Sequence, residues 1–273
     1  VSVKDPKSGK TILGAEDGVN QSYCDLLFYV DATPGSSIDD PERPSIPDEG
    51  DKEEPKPDED ENVTGTLAFE DIWPSGGDYD MNDVIVEYER KVYFDKKNIV
   101  TKIVDEFTPV HDGATYVNAF AYQIDAAQIG DKITLPEGAI LEKETSSIIV
   151  MSNAKQNIGN KYVVTREFNG SFLKNQLLSY NPYIIVKYSQ GEQNRTEVHL
   201  PKHKATAYAN QSLIGSNDDA YYIDRKGAYP FAIDIPMLGF TPVTERNRID
   251  SQYPGFTTWA KSMGNDCKDW YKK

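Results

Sequence analysis

The chain has few of the residues that build covalent cross-links, transition-metal centres or nucleic-acid contacts. Its 273 residues include two cysteines and three histidines, and 29 Lys and Arg residues stand against 44 Asp and Glu residues, a net charge of −15 at pH 7. Phosphates and anionic membrane surfaces repel so acidic a chain, so we expect neither nucleic acid nor such a surface as a partner. No apolar run is long enough to cross a membrane as a helix, and no stretch has the pattern of a signal peptide.

The two cysteines, Cys24 and Cys267, stand near opposite ends of the chain. Two free thiols are predicted, and one disulfide joining the two ends is the alternative. The chain begins at Val1 rather than at a methionine, so we expect that an upstream segment has been removed. Secretion is therefore left open by the sequence.

Much of the negative charge lies in one tract. Residues 39–61 contain 12 acidic and three basic residues, a net of −9, which leaves −6 for the rest of the chain. Residues 34–63 have too little apolar surface to offset the entropy of ordering, which predicts an extended linker or loop, with an acidic docking tail as the alternative. Residues 1–33 are predicted to pack on the main domain, residues 64–273, because residues 20–28 align weakly with residues 78–86.

The hydrophobic pattern is typical of β-structure. Val84 to Phe94 places apolar residues at alternate positions and charged residues between them, and 38% of the chain is apolar, enough for a core. Further strands are predicted at residues 24–30, 99–104, 119–124, 147–151, 162–168, 183–188, 196–200 and 229–235. Short strands separated by Gly, Pro and Asn predict an all-β, jelly-roll-like antiparallel β-sandwich.

One short helix is predicted near the C-terminus, where Phe256, Trp259, Ala260 and Met263 share a face before Gly264. The three tryptophans, Trp73, Trp259 and Trp270, are predicted to fill the core. The alternative is that tryptophans or tyrosines form exposed platforms on which sugar rings stack.

An acidic loop carries the strongest chemical signal. Six oxygen-bearing side chains lie within 14 positions between two apolar runs, and Gly76-Gly77 permits a sharp bend among them: Glu70, Asp71, Asp78, Asp80, Asn82 and Asp83. Crowded carboxylates repel each other unless water or a cation intervenes, and Ca²⁺ prefers six to eight such oxygens. The loop therefore predicts a calcium site that fixes the following strand. The alternative is a turn whose Asp and Asn side chains cap backbone N–H groups without metal.

Two other metal or catalytic interpretations of these residues are weaker. An EF-hand would use Glu89 at its twelfth position, but Asp83 stands where that loop needs glycine and a strand follows, so Glu89 is predicted to face solvent. Glu70 and Asp83 could face each other as in a glycoside hydrolase, although acids so crowded suit a cation better.

His199 and His203 have zinc-helix spacing, but Pro201 lies between them, so His199 is predicted to be a strand histidine with a hydrogen-bonded ring.

Three blocks carry a family resemblance. They are Phe69 to Pro74 with Gly77 to Val86, then Glu197 to Pro201, and a C-terminal set of Tyr229 to Ile233, Tyr253, Pro254, Phe256, Trp259, Ala260, Ser262, Gly264 and Asp269 to Tyr271. From about residue 64 to the end, the chain resembles the LruC-domain family of bacterial envelope proteins. The family usually has a glycine after the Leu-Pro pair, where this chain has Lys202, so no role for that loop is carried over.

The resemblance implies export to the envelope of a Gram-negative bacterium, commonly as a surface or periplasmic lipoprotein with its anchoring cysteine upstream of Val1. It implies no enzymatic role and no catalytic residues. The sequence as a whole predicts a calcium-stabilised, non-enzymatic interaction or adhesion module whose partner is a protein or glycan at the cell surface. A glycan-binding protein of a carbohydrate-capture system is the second interpretation, and an envelope glycoside hydrolase is the third.

Overall fold

The computed structural model describes residues 59–170, 172–178, 180–215, 222–224 and 228–272, together with the backbone of three earlier strands. The chain divides into two compact units, Val1–Lys56 and Pro57–Lys273. In each unit the described strands that form sheets pair antiparallel.

The first unit contains one three-stranded antiparallel sheet. Strands β1 (Ser2–Lys4), β2 (Thr11–Ala15) and β3 (Leu26–Val30) pair in that order. Strand β3 lies within the predicted strand at residues 24–30. The predicted packing of residues 1–33 on the main domain stays a prediction. Of the predicted linker, residues 34–63, the part from 34 to 58 lies outside the described residues.

The second unit holds eleven strands and one α-helix within its described residues. They are β4 (Glu59–Phe69), β5 (Val84–Phe94), β6 (Val100–His111), β7 (Ala119–Gln123), β8 (Lys132–Thr134), β9 (Ile140–Glu142), β10 (Ser147–Met151), β11 (Tyr162–Glu167), β12 (Asn181–Val186), β13 (Thr196–His199), β14 (Ala232–Ile235) and α1 (Phe256–Lys261). Strand β4 begins inside the acidic tract, because Glu59 to Asn62 pair with Phe94 to Lys91 of β5.

Two antiparallel sheets form the predicted β-sandwich. The six-stranded sheet has the order β14-β4-β5-β6-β11-β8, and the five-stranded sheet has the order β13-β12-β7-β10-β9. Alternate residues of each strand point between the sheets, and there they build one apolar core: Leu67, Phe69, Val86, Phe107, Phe120, Tyr122, Ile148 and Ile184, all at most 2% exposed. Each fully buried side chain of this size stabilises the fold by about 1.5–3 kcal/mol.

The C-terminal segment, residues 236–272, covers the opposite face of the six-stranded sheet. Ala68, Ile85 and Ile233 project from that face into a second apolar cluster. The segment contributes the buried residues Phe240, Val243, Ile249, Tyr253, Phe256, Ala260 and Trp270. The sheet is therefore covered on both faces, and β4 and β5 lie between two cores.

The helix prediction is confirmed in position and corrected in one residue. Helix α1 begins at Phe256, which is fully buried, and Ala260 is 6% exposed. Met263 was predicted to share their face, but it follows the end of the helix and is 66% exposed. Gly264 has a φ of +84°, a left-handed conformation that ends the helix at little steric cost.

Candidate functional site

The acidic loop, residues 70–83, connects β4 to β5 at one end of the six-stranded sheet. The two strands pair up to Phe69 and Val84, so the loop closes a β-hairpin. Its base is fixed by the Asp71 backbone N–H, which donates to Asp83 Oδ2 at 2.8 Å. The loop is thereby held as a defined structure on the strands that flank it.

Three of the six predicted ligands converge. One carboxylate oxygen from each of Glu70, Asp78 and Asp80 lies within 4.8 Å of the other two. Glu70 and Asp80 are buried, whereas Asp78 is accessible to solvent. Three hard oxygen donors so close together match the ligand chemistry of Ca²⁺, whose remaining positions water and carbonyl oxygens fill.

The loop backbone creates this convergence. A Cβ on Gly77 would lie 2.1 Å from Glu70 Oε2, so any larger residue there would displace the carboxylate. Tyr79 and Met81 have φ angles of +57° and +54°. Their backbone N–H groups both donate to Glu70, Met81 to Oε1 at 2.6 Å and Tyr79 to Oε2 at 3.3 Å. The alternation of acidic and apolar residues therefore places residues 79 and 81 against apolar neighbours and leaves the acids together.

Asp80 and Asn82 join the loop to the C-terminal segment. Asp80 Oδ2 accepts the Arg246 backbone N–H at 2.9 Å, and Asn82 Nδ2 donates to the Val243 carbonyl at 3.0 Å. The second carboxylate oxygen of Asp80, Oδ1, and the amide oxygen of Asn82, Oδ1, are buried and have no hydrogen-bond donor. A buried carboxylate oxygen without a donor is costly, so Asp80 in particular has capacity for a cation.

Asp71 and Asp83 lie beside the convergent trio and are bound elsewhere. Asp83 accepts the Asp71 amide, as described above, and Asp71 Oδ2 accepts the Asn118 side chain at 2.8 Å. Both residues therefore support the loop through hydrogen bonds, and their role as direct ligands stays a prediction. Glu89, in β5, accepts Asn62 Nδ2 at 2.8 Å and pairs with Lys91 at 2.9 Å at the partly exposed surface.

The electrostatics of the loop favour proton uptake when no cation is bound. Burial raises the pKa of Asp80 to about 6. Burial, with the charge of Asp71 as the next cause, raises the pKa of Asp83 to about 8. Burial and then the charge of Asp83 raise the pKa of Glu70 well above its usual value. A divalent cation would offset the same repulsion.

Sequence reasoning missed one buried acid next to the loop, Asp112. Both of its carboxylate oxygens are buried without a hydrogen-bond donor, and Lys155 Nζ lies 3.6 Å from Oδ1. Burial raises its pKa to about 6. The following residue, Gly113, donates its N–H to the Asn82 carbonyl, so this segment packs against the acidic loop. A single acid 29 positions after Asp83 carries no local signal in the sequence.

His199 belongs to a second buried polar group, the Glu197 cluster, which consists of Glu142, Arg195, Glu197, His199 and Thr206. Glu197 Oε1 accepts Arg195 Nε and Thr206 Oγ1, both at 2.7 Å, and Oε2 accepts the Thr206 backbone N–H at 2.9 Å. The His199 ring contacts Glu197 and Asn181, each at 2.9 Å. The predicted strand histidine with a hydrogen-bonded ring is confirmed.

The tryptophans divide into two kinds. Trp73 and Trp270 are 4% and 7% exposed and lie in the two cores, as predicted. Trp259 is only partly buried and lines a cavity beside α1, which corrects its prediction as a core residue. Cys267 is an exposed free thiol, and Cys24 lies outside the described residues.

Comparisons with known proteins support the fold and leave the activity open. Residues 141–271, just under half of the chain, match the family described as "Domain of unknown function (DUF4842)". No curated protein matches. A crystal structure described as a "putative lipoprotein" from Bacteroides ovatus is similar, with a TM-score of 0.60 and 19% sequence identity over 78% of this chain and 74% of that chain. These descriptions do not name the LruC domain, so that resemblance stays a prediction.

In the described part of the chain, none of the helices has the length and apolar character needed to pass through a bilayer.

Proposed function

We propose that this chain is a calcium-stabilised, non-enzymatic interaction or adhesion module of the bacterial cell envelope. The buried Oδ1 of Asp80 carries the proposal, because it lies without a donor in a trio of carboxylates within 4.8 Å of one another. Protonation of a carboxylate or binding of a cation would reduce the repulsion within the trio. A calcium ion would do so at neutral pH while the carboxylates stay ionised.

The proposed location rests on the shared fold and on the sequence resemblance. The fold is shared with the Bacteroides ovatus protein, and the acidic loop and C-terminal blocks resemble those of an envelope family. Export and a lipid anchor upstream of Val1 are part of this proposal, as is a protein or glycan partner at the cell surface.

Calcium would act structurally, by holding the C-terminal segment on the sheet. The loop already contacts that segment through Asp80 with Arg246, Asn82 with Val243, and the Tyr79 carbonyl, which accepts the Ile249 N–H at 2.8 Å. A cation bound by Glu70, Asp78 and Asp80 would fix the loop that makes these bonds. The stabilised unit is thus the loop together with residues 236–272.

A non-enzymatic role fits the placement of the acids. The two carboxylate oxygens of Glu70 accept backbone N–H groups of Met81 and Tyr79, and Asp83 accepts the Asp71 N–H. Groups bound in this way are positioned as ligands, whereas a general acid needs a proton free to reach a substrate.

Thermal unfolding with calcium and with EDTA tests the proposal. At 100 times its Kd, calcium should stabilise the wild type by about 2.7 kcal/mol, which corresponds to a rise of roughly 5–10 °C in Tm. Asp78→Ala and Asp80→Ala should abolish that rise, and Glu89→Gln should retain it because Glu89 lies outside the trio. Identical wild-type melting curves in calcium and EDTA would remove the metal from the proposal.

Glycan binding is the second candidate function, and the partly buried Trp259 favours it. Trp259 is the tryptophan that lines a cavity, whereas Trp73 and Trp270 are in cores. An accessible indole is the usual surface on which a sugar ring stacks.

A further inference from the structure

A cavity of about 290 Å³, the Trp259 cavity, lies beside the edge strand β14. Its walls come from four parts of the chain: Leu200 to His203 after β13, then Ile223, Ala228 and Pro230, then Ala232 to Asp234 of β14, and Trp259, Ala260, Met263 and Gly264 at the end of α1. Its volume is near the lower end of small-molecule sites, which begin at roughly 300 Å³. The cavity is thus large enough for one compact ring.

Asp234 provides the acidic group of the cavity. Its two oxygens accept the Tyr88 hydroxyl at 3.1 and 3.2 Å, and none of the ion pairs found among the described residues includes it. Asp234 is exposed at the edge of the sheet, so solvent and a ligand can both reach its carboxylate. Asp234 therefore offers a fixed acceptor, held by a neutral donor and reachable from the cavity.

Lys202 and His203 supply hydrogen-bond donors to the cavity lining, and Lys202 also supplies a positive charge. Lys202 is exposed and its backbone has a φ of +69°, and His203 is half-buried. Burial lowers the pKa of His203, so its ring is neutral at pH 7.4 and can both donate and accept. The cavity lining thus combines one carboxylate, one ammonium and one neutral imidazole.

Trp259 supplies the aromatic group. Its indole packs against Phe256 and Trp270, with ring centroids 5.4 Å away in both cases, and it remains partly exposed. The packing on two neighbours fixes the ring, so a ligand would meet a surface that is already ordered.

We infer that the Trp259 cavity is a binding subsite for one neutral sugar ring. The lining carries one carboxylate, Asp234, and one ammonium, Lys202, so neither sign of charge is in excess and a neutral ligand fits it without an unpaired charge. A neutral polyol can donate hydroxyl protons to Asp234 and accept from Lys202 while its apolar face contacts Trp259. This inference rests on the glycan-binding candidate and does not depend on the calcium site.

Saturation-transfer NMR on the full chain in calcium tests the inference. The probes are glucose, galactose, mannose and N-acetylglucosamine, their tetrasaccharides, and the charged analogues glucosamine and glucuronate. At least one neutral probe should bind, and Asp234→Asn and Trp259→Phe should each weaken it at least about tenfold. Asp131→Asn is the matched control, since Asp131 is exposed and accepts the Asn169 N–H as Asp234 accepts Tyr88.

Three outcomes would decide against the sugar subsite. No neutral probe bound at about 10 mM, tighter binding of glucosamine or glucuronate, or equal affinity in all three variants would overturn it. If Trp259→Phe fails to fold, Asp234→Asn alone gives the answer, because asparagine retains an acceptor for Tyr88. The calcium melting experiment is read on the same samples, so failure of the metal and failure of the subsite are separate outcomes.

Discussion

The Glu197 cluster and the acidic loop both bury carboxylates, but they differ in how those carboxylates are compensated. Both oxygens of Glu197 receive donors from Arg195, His199 and Thr206. Burial alone would raise the pKa of Glu197, yet these hydrogen bonds and the charge of Arg195 bring it below its usual value. In the acidic loop the pKa values move in the opposite direction.

The difference separates a structural cluster from a candidate site. A buried polar cluster whose side chains satisfy one another's hydrogen bonds stabilises the fold and requires no ligand. The acidic loop has an excess of one charge and buried oxygens without donors, so it is completed only by a proton or a cation. Buried polar atoms without hydrogen-bond partners therefore indicate a functional site better than the number of charged residues does.

The largest effect is expected from the compensated cluster. Arg195→Ala should lower the free energy of unfolding by about 3–5 kcal/mol, because it leaves Glu142 and Glu197 buried without their cation. Denaturant unfolding in calcium and in EDTA should give the same loss. A loss confined to calcium would contradict the independence of the two clusters.

The effect of Asp80→Asn on the free energy of unfolding should have opposite signs with and without calcium. In calcium the substitution should remove most of the stabilisation of about 2.7 kcal/mol that the ion provides at 100 times its Kd. In EDTA at pH 8 it should stabilise the chain, by at most about 3 kcal/mol, because the raised pKa of Asp80 reports the cost of its charge. A variant less stable than wild type in both conditions would count against this explanation.

The pH dependence should also reverse with calcium. Folded-state pKa values of about 6 for Asp80 and about 8 for Asp83 lie above the unfolded values, so the metal-free protein loses stability as the pH rises from about 5 to 8. Calcium binds the ionised forms, so its stabilising effect should grow over the same range. Melting temperatures at pH 5, 6.5 and 8, each with and without EDTA, measure both trends, and a pH-independent calcium shift would contradict them.

Gly77→Ala should weaken calcium binding more than folding. The new methyl group would meet Glu70 Oε2 at 2.1 Å and displace the carboxylate, at a cost of about 1 kcal/mol in EDTA. Calcium affinity should fall about tenfold, measured by calorimetric titration. Unchanged affinity would mean that Glu70 is not a ligand.

The smallest effect is expected at the surface of β5. Glu89→Gln removes an exposed pair with Lys91 and should change the free energy of unfolding by less than about 0.5 kcal/mol. Its calcium response should equal that of wild type in the same melting experiment. Loss of the calcium response would instead support the EF-hand interpretation, in which Glu89 is a ligand.

The strands were predictable where burial alternates along the chain. Strand β5 begins and ends where its pattern predicts, because from Val86 on its side chains alternate between buried and partly exposed positions. Strands β8 and β9 were missed, since each has three residues, none of them fully buried, and so no alternation to detect. The first residues of β4 were assigned to the linker from their acidic composition, but pairing with β5 outweighs that local preference.

The loop was predictable as an acidic site, but the convergence within it was not. Carboxylate density marks residues 70–83, whereas the selection of Glu70, Asp78 and Asp80 follows from left-handed backbone at Tyr79 and Met81. Those conformations are held by hydrogen bonds to Glu70 and by packing on the C-terminal cluster. Such distant contacts leave no periodic trace in a single sequence.

The partners of the loop also constrain the order in which the chain can mature. The amide that binds Asp80 and the carbonyl that binds Asn82 lie 166 and 161 residues later. A growing polypeptide therefore presents these side chains to water until residues 243–246 have been made. The loop can therefore acquire these two hydrogen bonds only after the C-terminal segment has been made.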